Sequence, residues 1–148
     1  MSLKARIMED IKTAMREKNK EKLATLRLIS AEIKQVEVDQ RIEMDDAAVT
    51  AVLVRMVKQR KESIDQFQKA ERLDLVAQEE SELSIIMPYL PEQMSQEDVE
   101  AAISEAIKAT GALTMKDMGK VMGMLKPQLE GKADMGVVSK LLKAALNP

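Results

Sequence analysis

The chain has 148 residues, enough for one domain or two small helical units, and its formal charge is −2 with 32% charged residues, a mixed surface that argues against indiscriminate nucleic-acid binding. It contains no histidine and no cysteine, which excludes disulfides, Ser–His–Asp triads, Cys–His dyads and zinc centres built on those ligands. With Phe67 and Tyr89 as its aromatic residues, 5 Gly and 4 Pro, the composition favours helices packed on Leu, Ile, Val, Ala and Met over a sandwich or barrel.

An all-α chain with no metal, no cofactor and no assigned catalytic residue is therefore expected. Carboxylates, Lys, Ser, Thr and Tyr89 are the groups left for any chemistry. No apolar run approaches the roughly 18 residues of a membrane span. The opening MSLKARIMEDIK has no apolar signal segment. The expected location is the cytoplasm, with no membrane or DNA partner.

Ser2 can cap a first helix over about 3–17, with Ile7, Ile11, Ala14 and Met15 on one side. Asn19 interrupts the pattern. A second helix over about 20–38 carries Leu26, Ile29, Ile33 and Val36 at buried-stripe spacing. Ala24, Leu28 and Ala31 form a second stripe, so neighbours are expected on two sides of it. Asp45 and Asp46 suit the start of a third helix over about 47–70, and a fourth covers about 74–87. Pro88 and Pro91 in PYLP force a turn or extension, which places a domain boundary there: residues 1–93 and 94–148. Ser95 opens a fifth helix that closes near Gly111. Thr114 can cap a sixth that Pro127 bends or ends. Asp134 can cap a seventh, burying Val138, Leu141, Leu142 and Ala145. The expected architecture is an N-terminal helical bundle with a long antiparallel hairpin, then a small three-helix unit.

The third helix carries a charge on its buried side. At about 100° per residue, Val49, Leu53, Met56, Arg60, Ile64 and Phe67 share one stripe. On the fourth helix Leu75, Glu79, Glu82, Ile86 and Leu90 do the same. In an antiparallel hairpin turning near Glu71, Met56 meets Ile86, Phe67 meets Leu75 and Arg60 meets Glu82. A lone buried charge is costly, so Arg60 needs Glu82 or Glu79. The group is either a structural ion pair that fixes register or a polar binding or catalytic centre.

Lys20, Arg27 and Lys34 recur at seven-residue spacing along the second helix, the pattern of a solvated face first and of a phosphate-contacting row second. From Gly111 onward, six lysines (Lys116, Lys120, Lys126, Lys132, Lys140 and Lys143) face three carboxylates (Asp117, Glu130 and Asp134), a local +3 in an acidic chain. That sign change suits an RNA backbone as well as an ordinary helical surface. Gly119 and Gly123 lie one turn apart in the sixth helix, where each costs about 1 kcal/mol relative to Ala. Close approach of another backbone, a neighbouring helix first or nucleic acid second, would offset that cost. Met118, Met122 and Met124 suit gap-filling in a core.

The strings LATLRLISAEIK, KQRKESIDQF, AERLDLVAQEESEL and PYLPEQMS, with the tail DMGKVMGMLKPQLEGKADMGVVSKLLKAAL, resemble the YqeY-like family over essentially the whole chain. A related signature closes the B subunit of the tRNA-dependent Asp/Glu amidotransferase. The resemblance implies a two-part helical fold and, from the amidotransferase tail, a role in gripping tRNA while amidation occurs elsewhere. On the matching positions the glycine–lysine pattern is Gly119, Lys120, Gly131 and Lys132. The amidotransferase tail usually has Asn–Pro where this chain has Asp134 and Met135, and the capping role of the first residue survives. The catalytic cradle of that subunit has no counterpart, so any carbon–nitrogen ligase role is by association alone.

Three functions follow. The first is an accessory tRNA-binding protein using Lys120, Lys126, Lys132 and Lys140, with Gly119, Gly123 and Gly131 admitting close backbone approach. The second is a protein-interaction module docking to an amidotransferase or an aminoacyl-tRNA synthetase. The third is an amidotransferase-type enzyme, for which Arg60, Glu79 and Glu82 are the capable residues.

Overall fold

The computed structural model describes residues 1–147 and contains helices and no strand among them. It divides into two compact units, Met1–Leu90 and one beginning at Pro91. In the first unit, α1 (Leu3–Arg16), α2 (Lys20–Gln40), α3 (Asp46–Lys69) and α4 (Leu73–Ile86) are followed by a 3-10 turn, Met87–Tyr89. Side chains cap three of these helices. Ser2 accepts from the Ala5 N–H, Asn19 from Lys22 and Asp45 from Ala48. Each such cap contributes about 1 kcal/mol. Asn19, an interruption in the sequence pattern, is thus the start signal of α2.

Glycine is absent from all three turns between these helices. Lys18, Arg41 and Glu71 occupy the left-handed region at φ 56°, 54° and 58°. An L side chain pays roughly 1–2 kcal/mol there, and the packing of the flanking helices offsets it. The core joins Ile7, Ile11, Leu26, Ile29, Ile33, Val49, Leu53, Met56 and Ile86. Burying each large aliphatic side chain stabilises the fold by about 1.5–3 kcal/mol. Met44, from the α2–α3 connection, is also buried in it.

Three sequence expectations of burial fail here. Met15 is exposed at the last turn of α1, and Ala24, Leu28 and Ala31 are exposed on α2. α2 does pack against α1, α3 and α4, but through one broad face, so the Ala24, Leu28 and Ala31 stripe faces solvent. The α3 stripe also leaves the core part-way. Val49, Leu53 and Met56 are buried, whereas Ile64 and Phe67 are half-buried and lie outside the core cluster.

The second unit packs α5 (Gln96–Thr110), α6 (Met118–Leu129) and α7 (Met135–Leu146). Its core joins Val99, Ile103, Ala106, Val121, Leu125, Leu129, Val138, Leu142 and Leu146. Gly111 closes α5 at φ 68°, the left-handed cap that glycine favours. A 3-10 turn, Met115–Asp117, precedes α6, and the Asp117 carboxylate accepts from the N–H groups of Leu113 and Thr114. Those two bonds hold its pKa below the ordinary aspartate range. Pro127 does not end α6, which runs on to Leu129. Its missing N–H leaves the Gly123 carbonyl to solvent, and both residues are exposed. On α7, Leu146 is buried and Ala145 is exposed, against expectation, because the contact ridge steps by four residues from Val138 through Leu142. Among the described residues, no helix is long and apolar enough to cross a membrane.

Each unit has its own core, so each should fold by itself. Residues 1–90 alone should unfold in one cooperative thermal transition. A broad, non-cooperative melt would show that the remaining residues complete that core.

Candidate functional site

Arg60 sits where the α3 stripe leaves the core. Its Nε lies 3.4 Å from Oε2 of Glu82, with side-chain exposures of 14% and 18%. Nη1 donates to the Met56 carbonyl at 3.4 Å. Nε itself is buried without a well-formed hydrogen bond, so the contact with Glu82 is chiefly ionic. Glu79, one turn away on α4, completes the group. Burial first, and then the neighbouring Glu82, push its pKa above the ordinary glutamate range, while Arg60 pulls the other way. Arg60, Glu79 and Glu82 line none of the clefts described below, and their geometry is that of a clamp across the hairpin.

The lysines of the second unit are free. Lys120, Lys126, Lys132 and Lys140 are exposed, and none forms an ion pair among the described residues. On α6, Lys120 and Lys126 stand about 120° apart around the axis and flank Gly119 and Gly123. A Cβ built on either glycine would meet nothing within 4 Å. The neighbouring helix expected over this pair is therefore absent from the unit, and bare helix backbone faces outward. Gly131 differs. It is buried, takes φ 82° in the α6–α7 turn, and its carbonyl accepts from Nε2 of Gln93 at 2.8 Å. It serves the turn and is not a point of approach. The Lys132 carbonyl likewise accepts from the Met94 N–H at 2.9 Å, which fixes the backbone while leaving the side chain outside. Met118 and Met122 are half-buried in the core, but Met124 is exposed.

Charge in this unit is segregated. From Pro91 onward there are seven lysines and eight carboxylates, a net −1. Glu97, Asp98, Glu100 and Glu105 all lie on α5, which carries the single lysine Lys108, so the positive excess belongs to the stretch from Lys116 through α6, the following turn and α7.

A third constellation lies in the first unit. Arg6, Asp10, Lys22, Ser84, Ile85, Pro88 and Tyr89 line a cleft of about 240 Å³. The Tyr89 hydroxyl donates to Oδ2 of Asp10, and the Arg6 guanidinium lies 4.8 Å from the centre of the Tyr89 ring. Burial, and next the Asp10 hydrogen bond, keep that phenol protonated far above its ordinary range.

Residues 4–146 match the model of the Yqey-like protein family. The chain belongs to the YqeY-like family. Similar proteins include the fungal "Altered inheritance of mitochondria protein 41, mitochondrial". The one from Pyrenophora tritici-repentis is 30% identical over 141 residues, covering 93% of this chain and 77% of its own length. The one from Candida glabrata is 31% identical over 141 residues, covering 94% and 75%. The one from Lachancea thermotolerans is 33% identical over 123 residues, covering 78% and 66%.

In this YqeY-like chain, sequence patterning brought out the Arg60 clamp and the tail lysines but not the Tyr89 cleft. Its parts come from α1, α2 and the end of α4, and no periodicity links them. One signal was available. Arg6 and Asp10 stand one turn apart on a helix whose apolar side is elsewhere, and Tyr89 is the family segment's lone tyrosine.

Two outcomes test the clamp. Glu82→Ala should destabilise by about 3 kcal/mol, because it strands a largely buried guanidinium, and pairing Arg60→Met with Glu82→Leu should recover most of that loss. For Glu79 the folded-state pKa is raised, so its ionisation opposes folding and stability falls as pH rises through that pKa. Glu79→Gln should therefore stabilise the protein at neutral pH, and the difference from wild type should vanish below about pH 4. Denaturant titrations at both pH values would measure it, and a destabilised Gln variant at neutral pH would contradict it.

Proposed function

We propose that the protein is an accessory tRNA-binding protein whose contacts are made by α6, α7 and the turn between them. The observation that carries this reading is the set of four exposed, unpaired lysines, Lys120, Lys126, Lys132 and Lys140, of which the two on α6 flank an uncovered helix face at Gly119 and Gly123. Lysines act as point charges on phosphate, giving affinity with little sequence choice. Selectivity then rests on RNA shape, which a helix face without side chains can approach closely. The acidic α5 repels phosphate and restricts docking to the opposite side. The resemblance of the tail to that of the tRNA-dependent amidotransferase supports tRNA as the RNA class. We place the activity in the cytoplasm; the word mitochondrial belongs to the names of the fungal relatives.

A protein-adaptor reading, docking to an amidotransferase or an aminoacyl-tRNA synthetase, is favoured by one feature. A groove of about 460 Å³ between α5 and α6 is lined by Ala102, Ala106, Ala109 and Met124 together with the polar Glu105, Lys108 and Gln128. Met124 is 40% exposed there.

Salt dependence separates the two. With about four phosphates neutralised, log affinity for tRNA should fall against log salt with a slope of about −3 to −4. Reversing Lys120 and Lys132 to Glu should weaken binding by about tenfold or more without loss of helicity. A mobility-shift titration at two salt concentrations measures both. If the double variant binds as the wild type does, or tRNA fails to bind at low salt, the adaptor reading replaces this one.

A further inference from the structure

We propose that the cleft walled by α1, the start of α2 and the end of α4 binds a single phosphoryl group, as carried by a small phosphate monoester. The argument begins with unpaired charge. Arg6 and Lys22 both line this cleft, and neither forms an ion pair among the described residues. The carboxylate nearest to hand, Asp10, has its Oδ2 taken by the Tyr89 hydroxyl at 2.5 Å. Tyr89 turns Asp10 toward its hydroxyl, and neither Arg6 nor Lys22 lies within ion-pair distance of that carboxylate in the concave site.

The ring does a second thing. Arg6 lies over it at 4.8 Å from the centroid, and stacking on an aromatic face restricts the plane of a guanidinium. A planar fork held this way loses less entropy when it takes two oxygens of one oxyanion. Lys22 adds a point charge from α2. Ser84 does not supply a further donor, because its hydroxyl already donates to the Ser81 carbonyl at 2.6 Å.

Charge and size narrow the ligand. Arg6 and Lys22 against Asp10 leave the cleft one positive charge in excess. A single phosphoryl head brings about −1.5 to −2, which Arg6 and Lys22 together match, whereas a di- or triphosphate would bring further negative charge against the Asp10 carboxylate. The volume of about 240 Å³ falls below the roughly 300–1,000 Å³ typical of pockets that enclose a whole drug-sized ligand. A phosphoryl group and a few further atoms fit within it. The site lies in the first unit and shares no residue with the proposed RNA contacts, so either proposal stands or falls without the other.

The test is a backbone-amide NMR titration of the full chain with inorganic phosphate and with phenyl phosphate, using succinate as a carboxylate control. Both phosphates should give saturable shifts at Arg6, Asp10, Lys22 and Tyr89. Lys22→Gln, which leaves the Arg6–Tyr89–Asp10 set intact, should weaken them by about tenfold or more, the loss of one charge-assisted contact. Its melting temperature should match the wild type. Non-saturable shifts, equal shifts in Lys22→Gln, shifts confined to the tail lysines, or succinate matching phosphate would each overturn the assignment.

Discussion

A charge on the buried stripe of a helix must be neutralised where it stands, and in this protein that requirement fixes the first unit. Arg60 follows Val49, Leu53 and Met56 along α3, and Glu82 precedes Ile86 on α4. Their 3.4 Å contact joins the two helices where both stripes carry charge, with Glu79 one turn away as a second carboxylate within the influence of Arg60. Desolvation cancels much of the pair's attraction, so its net contribution to stability is small while the loss of one partner alone is costly. Once the register is set, the end of α4 and its 3-10 turn carry Tyr89 to Asp10 and Arg6 on α1. The polar cleft is thus a downstream consequence of the hairpin.

The helices were legible because they are long and amphipathic, and because their starts carry Ser2, Asp45, Ser95 and Asp134. Their ends were harder to place. Lys18, Arg41 and Glu71 hold left-handed turns that carry no glycine signal. Pro127 looked like a break, yet its position on the solvent side of α6 lets water serve the carbonyl it leaves free. Amphipathic patterning also over-predicted burial at Leu28 and Ala145, since it marks apolar positions and not which of them gains a neighbour. Of the candidate site residues, the lysines were readable as charge, but Gly119 and Gly131 looked alike in sequence. One lies open on a helix and the other is locked in a turn by Gln93. The Tyr89 cleft draws on three helices, and single-helix periodicity is blind to such convergence.

Membership of the YqeY-like family gives the tail a context that its charge alone lacks. The second unit is net negative as a whole, and the partition of its charge, with four carboxylates on α5 and the exposed lysines concentrated from Lys116 onward, gives it a locally positive surface. The same partition gives that surface a direction. The exposed glycine face lies between the two α6 lysines, so close approach and charge attraction coincide on one side of the helix.

That coincidence is the centre of the account, and mapping the tRNA footprint on the full chain tests it most directly. Amide line broadening on addition of tRNA should concentrate at 116–126 on α6, at 131–133 in the turn and around Lys140 on α7, leaving α5 untouched. Broadening centred on α5, or on the α5–α6 groove at Ala102, Ala109 and Met124, would contradict it.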